Sequence, residues 1–261
     1  MMMNNAVIFL QLMRRDVRVL SREFVGDLIN AVTWPGSLAI TFGYVLPSVG
    51  MNQQYGTFLL VGALASTFFY LSLGMGNELV SDFCSMRCID FYFTLPASSY
   101  RFILFQRVFS FALHSVLISL PLLLIGKLIL GSRMDLSQLS VIKLFLVLVI
   151  SGIFFGFFGL WLAAWIPTNR AFNSVWRRVY TPMQLLGCYW FSFFTGFKVF
   201  AYIACIALLN PLTYMCEGVR AAVMGQAEYL NFWLCLAVLI AYTIIFGWYA
   251  MRKLKRRLDL L

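Results

Sequence analysis

The chain has 261 residues, of which 62% are apolar and 11% are charged, and its formal net charge is +10. Soluble domains carry about 25% charged residues, so this composition excludes soluble enzymes, disordered chains and free nucleic-acid-binding proteins. The composition predicts an all-α integral membrane protein, in which basic residues set the orientation of the loops and no nucleic-acid partner is expected.

The first predicted element is an amphipathic helix over residues 5–25. Apolar side chains three or four positions apart form one stripe of this helix, and arginines occupy a different face. The stripe consists of Leu10, Met13, Val17, Leu20 and Phe24, and the arginines are Arg14, Arg15, Arg18 and Arg22. Such a helix lies in the headgroup region, with its arginines directed to anionic lipid or to a cytoplasmic partner. A membrane anchor without a further role is the alternative.

Six apolar segments along the chain are long enough to cross a bilayer. They lie at residues 28–49, 56–76, 105–130, 141–166, 180–197 and 230–251. If both termini are cytoplasmic, fifteen of the twenty Lys and Arg residues fall in the inner segments. Because basic residues concentrate in cytoplasmic loops, we expect six spans with both termini in the cytoplasm.

The longest polar stretch, residues 77–101, joins the second and third spans on the predicted inner side. Its charged side chains are spaced for a short helix, which ends at a Leu-Pro pair. The residues singled out are Glu78, Asp82, Arg87, Asp90 and Pro96. We predict that this segment is a docking element for a cytoplasmic partner, and a solvated loop is the alternative.

Residues 198–226 are predicted to form two short helices that enter and leave the membrane on its outer side. The apolar run before Asn210 contains only about a dozen residues, too few to cross a bilayer. Asn210 and Pro211 signal a turn, and proline suits the first position of the helix that follows. In that helix Glu217 and Arg220 are three residues apart and able to pair. We favour a pair that holds the fold, and a polar latch at the outer mouth of a pathway is the alternative.

Aromatic residues make up 17% of the chain and cluster in and near the predicted spans. Many are expected in the belts that Trp and Tyr form at membrane interfaces. The alternative is a conduit in which stacked rings contact sugar rings or lipid tails during transport. The candidates for such a pathway are Phe69, Tyr70, Phe155, Tyr189 and Trp190.

The sequence lacks the motifs of nucleotide and metal sites. It contains no G-x-x-x-x-G-K-[ST] or H-E-x-x-H pattern, and with His114 as the only histidine no His-based metal centre is expected. We interpret His114 as a helix–helix hydrogen-bond partner rather than a proton relay. Because the carboxylates are dispersed, ion-coupled transport is disfavoured. Energy for any active transport is therefore expected from another polypeptide.

Two segments resemble the membrane subunits of type II ABC exporters, a family that includes exporters of O-antigen, capsule, teichoic acid, Nod factors and drugs. The segment NPLTYMCEGVRAAVMG, at residues 210–225, is similar to a family motif at nearly every motif position. The segment TLPASS, at residues 94–99, resembles a shorter family element, with Ala97 where the family often has Val. The Glu-rich coupling stretch of the family is weak in this chain, where Glu78 and Asp82 are the nearest acids.

The resemblance implies one transmembrane domain over residues 1–261, in a multi-pass protein of the bacterial plasma (inner) membrane. It implies a second membrane subunit, expected to be identical, and two copies of a separate ATP-binding cassette ATPase. ATP and Mg would be bound by that partner, and no cofactor is expected in this chain. Energy coupling is assigned to the segment 77–101 and to the N-terminal helix with Arg14, Arg15 and Arg18. The outer gate implied by the resemblance consists of Asn210, Pro211, Tyr214, Glu217 and Arg220.

The expected function is that of a permease subunit that forms the pathway for a glycan, glycolipid or lipid-like substrate and is not itself an enzyme. Two hypotheses of other classes stay open: a polytopic membrane enzyme acting on lipid-linked substrates, and a passive pore or assembly factor. Such an enzyme needs clustered acid–base groups or a metal near the membrane surface, and the acids of this sequence are dispersed. Co-purification with a nucleotide-binding subunit distinguishes the exporter from both.

Overall fold

The computed structural model describes residues 5–85 and 100–258. The predicted coupling residues Arg87, Asp90 and Pro96 lie outside these ranges. The described chain is helical and contains no strand, which confirms the all-α fold class for this part. Its α-helices are α1 Asn5–Ile40, α2 Gln54–Ser85, α3 Tyr100–Leu130, α4 Val141–Trp165, α5 Asn169–Val175, α6 Thr181–Leu186, α7 Phe193–Val199, α8 Ala201–Leu208, α9 Pro211–Val223 and α10 Phe232–Leu258.

Four of the described helices are long and apolar enough to cross a membrane, so the chain is a multi-pass membrane protein. These candidate spans are Gln54–Asp82, Arg101–Arg133, Val141–Trp165 and Phe232–Arg256. They overlap the predicted spans at 56–76, 105–130, 141–166 and 230–251. Helices α8 and α9, with a bend of 96° between them, add a fifth candidate if the two are counted as one span.

Helix α1 is continuous, which differs from the prediction of a separate interface helix over residues 5–25. It runs beside α3 and is tied to it by polar side chains. The amide of Gln106 donates to Asp16 at 2.7 Å, and the ring of His114 shares a hydrogen bond of 3.0 Å with Asp27. His114 is therefore a helix–helix hydrogen-bond partner, as predicted. Because nothing breaks the helix between the two predicted elements, the amphipathic segment and residues 28–40 of the first predicted span form one helix, and residues 41–49 of that span form separate helical turns.

Helix α4 lies at the centre of the bundle and packs against α2, α3, α9 and α10. It is strongly apolar along its whole length, as expected for a helix surrounded by others. Its small residues permit close packing. A β-carbon at Gly152 would lie 3.0 Å from Ala112 on α3, and one at Gly159 would lie 3.1 Å from the carbonyl oxygen of Ser72 on α2.

The predicted span at residues 180–197 is not one helix. Helices α6 and α7 are separated by a turn in which Cys188 adopts a φ of 54°. The carbonyl oxygens of Cys188 and Tyr189 accept hydrogen bonds from the guanidinium of Arg220. Since a buried carbonyl needs one good partner, a distant arginine takes the place of the helical hydrogen bonds in this segment.

Two glycines of α2 provide a matched test of the packing between α2 and the helical turn Thr41–Val45 that follows α1. A β-carbon at Gly56 would lie 2.6 Å from the backbone Cα of Gly43, whereas one at Gly74 has no neighbour within 4 Å. We expect Gly56→Ala to lower the free energy of unfolding by about 1–3 kcal/mol, because backbone has to move. Gly74→Ala should be neutral or stabilising by up to about 1 kcal/mol, because alanine favours helix.

The measurement is the unfolding of the purified protein in mild detergent, monitored by circular dichroism. Equal effects of the two substitutions would show that the close approach of Gly56 to Gly43 does not limit packing.

Candidate functional site

The five residues predicted for the outer gate lie in α9 or directly before it, and every residue of α9 is buried. The predicted re-entrant region 198–226 contains α8, α9 and the last residues of α7. Backbone at membrane depth that does not belong to a simple spanning helix has to be buried in protein or line a cavity. Helix α9 meets that condition, and it can therefore carry polar side chains within an otherwise apolar protein.

Asn210 and Pro211 begin α9 and attach it to α6. The side-chain carbonyl of Asn210 accepts from the backbone N–H of Leu212 at 3.0 Å, which caps the helix. Its amide donates to the carbonyl of Met183 on α6 at 2.6 Å. Pro211 occupies the first helical position, where its missing N–H costs nothing. The turn predicted at this dipeptide is thus also a link between helices.

Arg220 lies in a cradle formed by backbone and one aromatic ring. Its side chain is fully buried, and its two terminal nitrogens donate to the carbonyls of Cys188 and Tyr189 at 2.5 and 2.7 Å. The guanidinium carbon lies 3.6 Å from the ring centroid of Phe58 on α2, a cation–π contact. A β-carbon at Gly62, also on α2, would lie 2.5 Å from the guanidinium, so the cradle requires glycine there.

Glu217 provides the negative charge for this buried site. One carboxylate oxygen accepts from the backbone N–H of Phe193, at the start of α7, and the other from that of Leu230, just before α10, each at 3.1 Å. The carboxylate lies 3.7 Å from the guanidinium of Arg220. Both charges are therefore compensated, and most of their hydrogen bonds go to backbone of other segments. Such a pair holds the fold together, because removal of one member leaves the other charge buried without a counter-charge.

Tyr214 completes the set of predicted gate residues and faces the preceding helix. Its hydroxyl donates to the carbonyl of Leu208 at the end of α8, at 2.7 Å. Its ring lies 6.3 Å from that of Tyr242 on α10. Together, the five side chains connect α9 to α2, α6, α7, α8 and the segment before α10. We call Glu217, Arg220 and their hydrogen-bond partners the arginine cradle.

The predicted coupling acids lie at the end of α2 and share one arginine on α3. The guanidinium of Arg107 lies 3.5 Å from Asp82 and 3.8 Å from Glu78. Asp82 and Arg107 are each 23% exposed, whereas Glu78 is 72% exposed. This charge bridge connects the two helices that flank residues 86–99. It was not predicted, because nothing in the sequence shows that residues 78 and 107 face each other.

The predicted N-terminal arginines lie on the exposed side of α1. Arg14, Arg15 and Arg18 are all exposed, and Arg15 forms an ion pair of 2.7 Å with its neighbour Asp16. The second carboxylate oxygen of Asp16 accepts from Gln106, one residue before Arg107. Through Asp16, Arg15 is therefore connected to α3 at the residue next to Arg107.

An open cavity of about 470 Å³ lies between α1, α2 and α3, beside the charge bridge. We call it the charged cavity. Its walls contain residues of the two polar contacts between α1 and α3 and residues of the charge bridge. They also contain the predicted pathway residue Tyr70. Its charged and polar lining consists of Arg15, Asp16, Glu23, Asp27, Tyr70, Glu78, Arg107, Ser110 and His114. The sequence analysis did not predict that Asp16 and Asp27 pair with α3.

The five predicted pathway aromatics do not share one surface. Phe69, Phe155 and Tyr189 are fully buried in the core of the chain, and the ring of Phe69 lies 5.9 Å from that of Phe155. Tyr70 reaches the charged cavity and donates to Gln184 at 2.9 Å. Trp190 lies near the start of α2, where its carbonyl accepts a hydrogen bond from Tyr55. The three buried rings stabilise the fold because they bury large apolar areas and pack edge to face.

A second cavity, of about 340 Å³, lies beside the arginine cradle. Tyr55 and Phe58 stack there with ring centroids 5.7 Å apart. The indole N–H of Trp190 has no hydrogen-bond partner among the described residues. Burial raises the pKa of Tyr229 at the rim, so its phenol stays neutral at physiological pH. Aromatic faces, uncharged polar side chains and one acidic residue, Glu228, are thus the chemistry of this cavity.

Within the described residues, no three His, Cys, Asp or Glu side chains are grouped to hold a metal ion.

Comparison with known protein families finds a match. The family model described as ABC-2 type transporter matches residues 8–224, a range that includes the charge bridge, the charged cavity and both charged residues of the arginine cradle. A search of curated proteins finds no match to the chain.

Proposed function

The chain belongs to the ABC-2 type transporter family, and from this premise we propose that it is the permease subunit of an ATP-driven exporter. The observation that carries the proposal is the match of the family model over residues 8–224, most of the chain. A member of this family is the membrane component of an ABC transporter rather than an enzyme. The direction of transport, the partners and the substrate are the proposed part.

The proposed topology has six spans, both termini in the cytoplasm and a re-entrant pair formed by α8 and α9 on the outer side. The bend of 96° between these helices supports the pair. The orientation is supported by the charges, because α3 begins and α10 ends among basic residues, and cytoplasmic segments carry the basic excess. In this topology residues 1–261 form one transmembrane domain in the plasma (inner) membrane of a bacterium.

We propose that energy enters through the segment 77–101 and the adjacent N-terminal arginines. Two copies of a separate ATPase subunit, which bind ATP and Mg, would contact this surface. The support is the charge bridge, because Arg107 connects the ends of α2 and α3 on both sides of residues 86–99. A force applied to that segment would reach both helices together. The full proposed coupling set is Glu78, Asp82, Arg87, Asp90, Pro96, Arg14, Arg15 and Arg18.

The proposed substrate class is a glycan, a glycolipid or a lipid-like molecule, which passes between this subunit and a second copy of it. The cavity beside the arginine cradle supports this class, since aromatic faces next to hydrogen-bonding polar groups suit sugar rings. The proposed outer gate, formed by Asn210, Pro211, Tyr214, Glu217 and Arg220, lies beside that cavity, with Phe58 contacting both. The cradle would hold the re-entrant pair in shape while the spans move.

The experiment is purification of the tagged chain, expressed with its ABC ATPase subunit, in mild detergent. We expect co-purification in a ratio of two to two and ATP turnover that vanadate inhibits. Glycolipids are then screened for stimulation of the ATPase. A chain that elutes alone and inert in several detergents would contradict the exporter and leave a membrane enzyme acting on lipid-linked substrates, or a passive pore, to be tested.

A further inference from the structure

A groove of about 950 Å³ lies between α3, α4 and α10, away from the charge bridge and the arginine cradle. Its lining changes character along its length. The apolar part contains Phe105, Phe157, Ile244, Trp248 and Met251, and the basic part contains Arg101, Arg252, Lys255 and Arg256. No carboxylate belongs to this lining in the described part of the chain.

The apolar and basic parts of the groove follow from the spacing of residues along α10. Residues 244, 248, 252 and 256 follow each other at intervals of four and form one row of the helix surface. The first two are Ile244 and Trp248, with exposed fractions of 66% and 56%. The next two are Arg252 and Arg256, which are also exposed. One face of the helix is therefore apolar for two turns and cationic for the next two.

The walls of the groove are formed by rings that hold each other in place. The rings of Phe105 on α3 and Phe157 on α4 meet edge to face, with centroids 5.7 Å apart. The ring of Phe157 packs against Gly247 of α10, where a β-carbon would be in van der Waals contact with it at 3.4 Å. The guanidinium of Arg252 lies 3.8 Å from the ring centroid of Trp248, where the basic and apolar parts meet.

We propose that this groove binds one acidic phospholipid, with its phosphate at the basic end and an acyl chain along the apolar part. The row from Ile244 to Arg256 extends about 18 Å along the helix, slightly more than one leaflet of a hydrocarbon core about 30 Å thick. The cations provide charge complementarity to an anionic headgroup. The apolar part lies in the candidate span Phe232–Arg256, which is the least buried of the four spans and so presents its surface to lipid.

Another copy of this chain does not suit the groove. A symmetric contact between two copies at this face would bring the same basic residues of both chains together, and like charges repel. A water-soluble protein would not reach the apolar part, since that part lies within a membrane span.

The test compares phosphatidylglycerol with phosphatidylcholine of the same acyl chains, added to the delipidated full-length protein and followed by native mass spectrometry. We expect phosphatidylglycerol to bind at least about tenfold more tightly than phosphatidylcholine. The variant R252Q/K255Q/R256Q should lose at least about tenfold in affinity for phosphatidylglycerol and keep its affinity for phosphatidylcholine. The matched control R170Q/R177Q/R178Q removes the same charge from exposed arginines outside the groove and should bind like the wild type.

Equal binding of the two lipids by the wild type would overturn the proposal, as would an equal loss in the groove and control variants. A second measurement tests the acyl-chain position. Phosphatidylglycerol brominated in its chains should quench Trp248, measured as the quenching lost in Trp248→Phe, more strongly than brominated phosphatidylcholine. Equal quenching by the two lipids would contradict the placement of the chain in the groove.

Discussion

Replacing Arg220 by methionine is expected to lower the free energy of unfolding by about 3–5 kcal/mol, the range found when one member of a buried ion pair is removed. The substitution leaves the carboxylate of Glu217 buried without its counter-charge. It also removes the donors to the carbonyls of Cys188 and Tyr189. Hydropathy alone predicts the opposite, because methionine is far better tolerated inside a membrane than arginine. Unfolding in detergent or bicelles therefore distinguishes the two predictions, because they give opposite signs for the change in the free energy of unfolding.

The double variant E217Q/R220M separates the charge effect from the lost hydrogen bonds. Glutamine is neutral and keeps one acceptor oxygen, so the double variant should be more stable than Arg220→Met alone. Arg177→Met, at an exposed arginine, serves as the control and should change the free energy of unfolding by less than about 0.5 kcal/mol. Additive effects of the two single substitutions would contradict an interaction between Glu217 and Arg220.

The same cradle shows where prediction of the fold from sequence stops. Hydropathy locates α2, α3, α4 and α10, because a long apolar run buries itself as a helix whatever its neighbours are. The segment 180–197 is also apolar, yet its backbone turns at Cys188 because Arg220 binds the carbonyls of that turn. No local pattern encodes a hydrogen bond to a side chain more than thirty residues away.

The contact of α1 with α3 is a second feature that the sequence predicts only in part. The sequence shows the polar residues, but it does not show which helices they join. Asp16 and Asp27 are eleven residues apart and share one face of a helix, and Gln106 and His114, eight apart, share another. Polar residues at helical spacing indicate a polar seam. Which helix provides the partner depends on the packing of the whole bundle. The prediction of a headgroup helix over residues 5–25 followed from the arginines and missed the acids on the other face.

The candidate site divides in the same way. The motif at residues 210–225 contains the two charged residues of the cradle, Glu217 and Arg220, and their spacing of three residues suggested that they pair. The contacts with Phe58 and Gly62 on α2 could not be predicted, because they join segments far apart in the chain. For the coupling segment, the acids Glu78 and Asp82 were singled out, but their partner Arg107 was not.

Reversing the charge of Arg107 is expected to uncouple the transporter rather than unfold it. In Arg107→Glu three carboxylates replace a bridge, and repulsion between the introduced glutamate and Asp82 should separate the ends of α2 and α3. The partners are partly exposed, and such pairs contribute only about 0.2–1 kcal/mol, so the subunit should still assemble. We expect substrate-stimulated ATPase activity of the assembled transporter to fall at least about tenfold, while its basal ATPase activity stays within about twofold.

Charge exchange makes this prediction specific to the bridge. The variant R107E/D82R places an acid and a base at the same two positions and should recover most of the stimulation. Arg177→Glu introduces the same charge change at an exposed arginine outside the bridge, and its stimulation should match that of the wild type. If R107E remains fully stimulated, the bridge does not transmit force. If R107E and Arg177→Glu lose stimulation equally, the loss comes from net charge at this end of the bundle and not from the connection between α2 and α3.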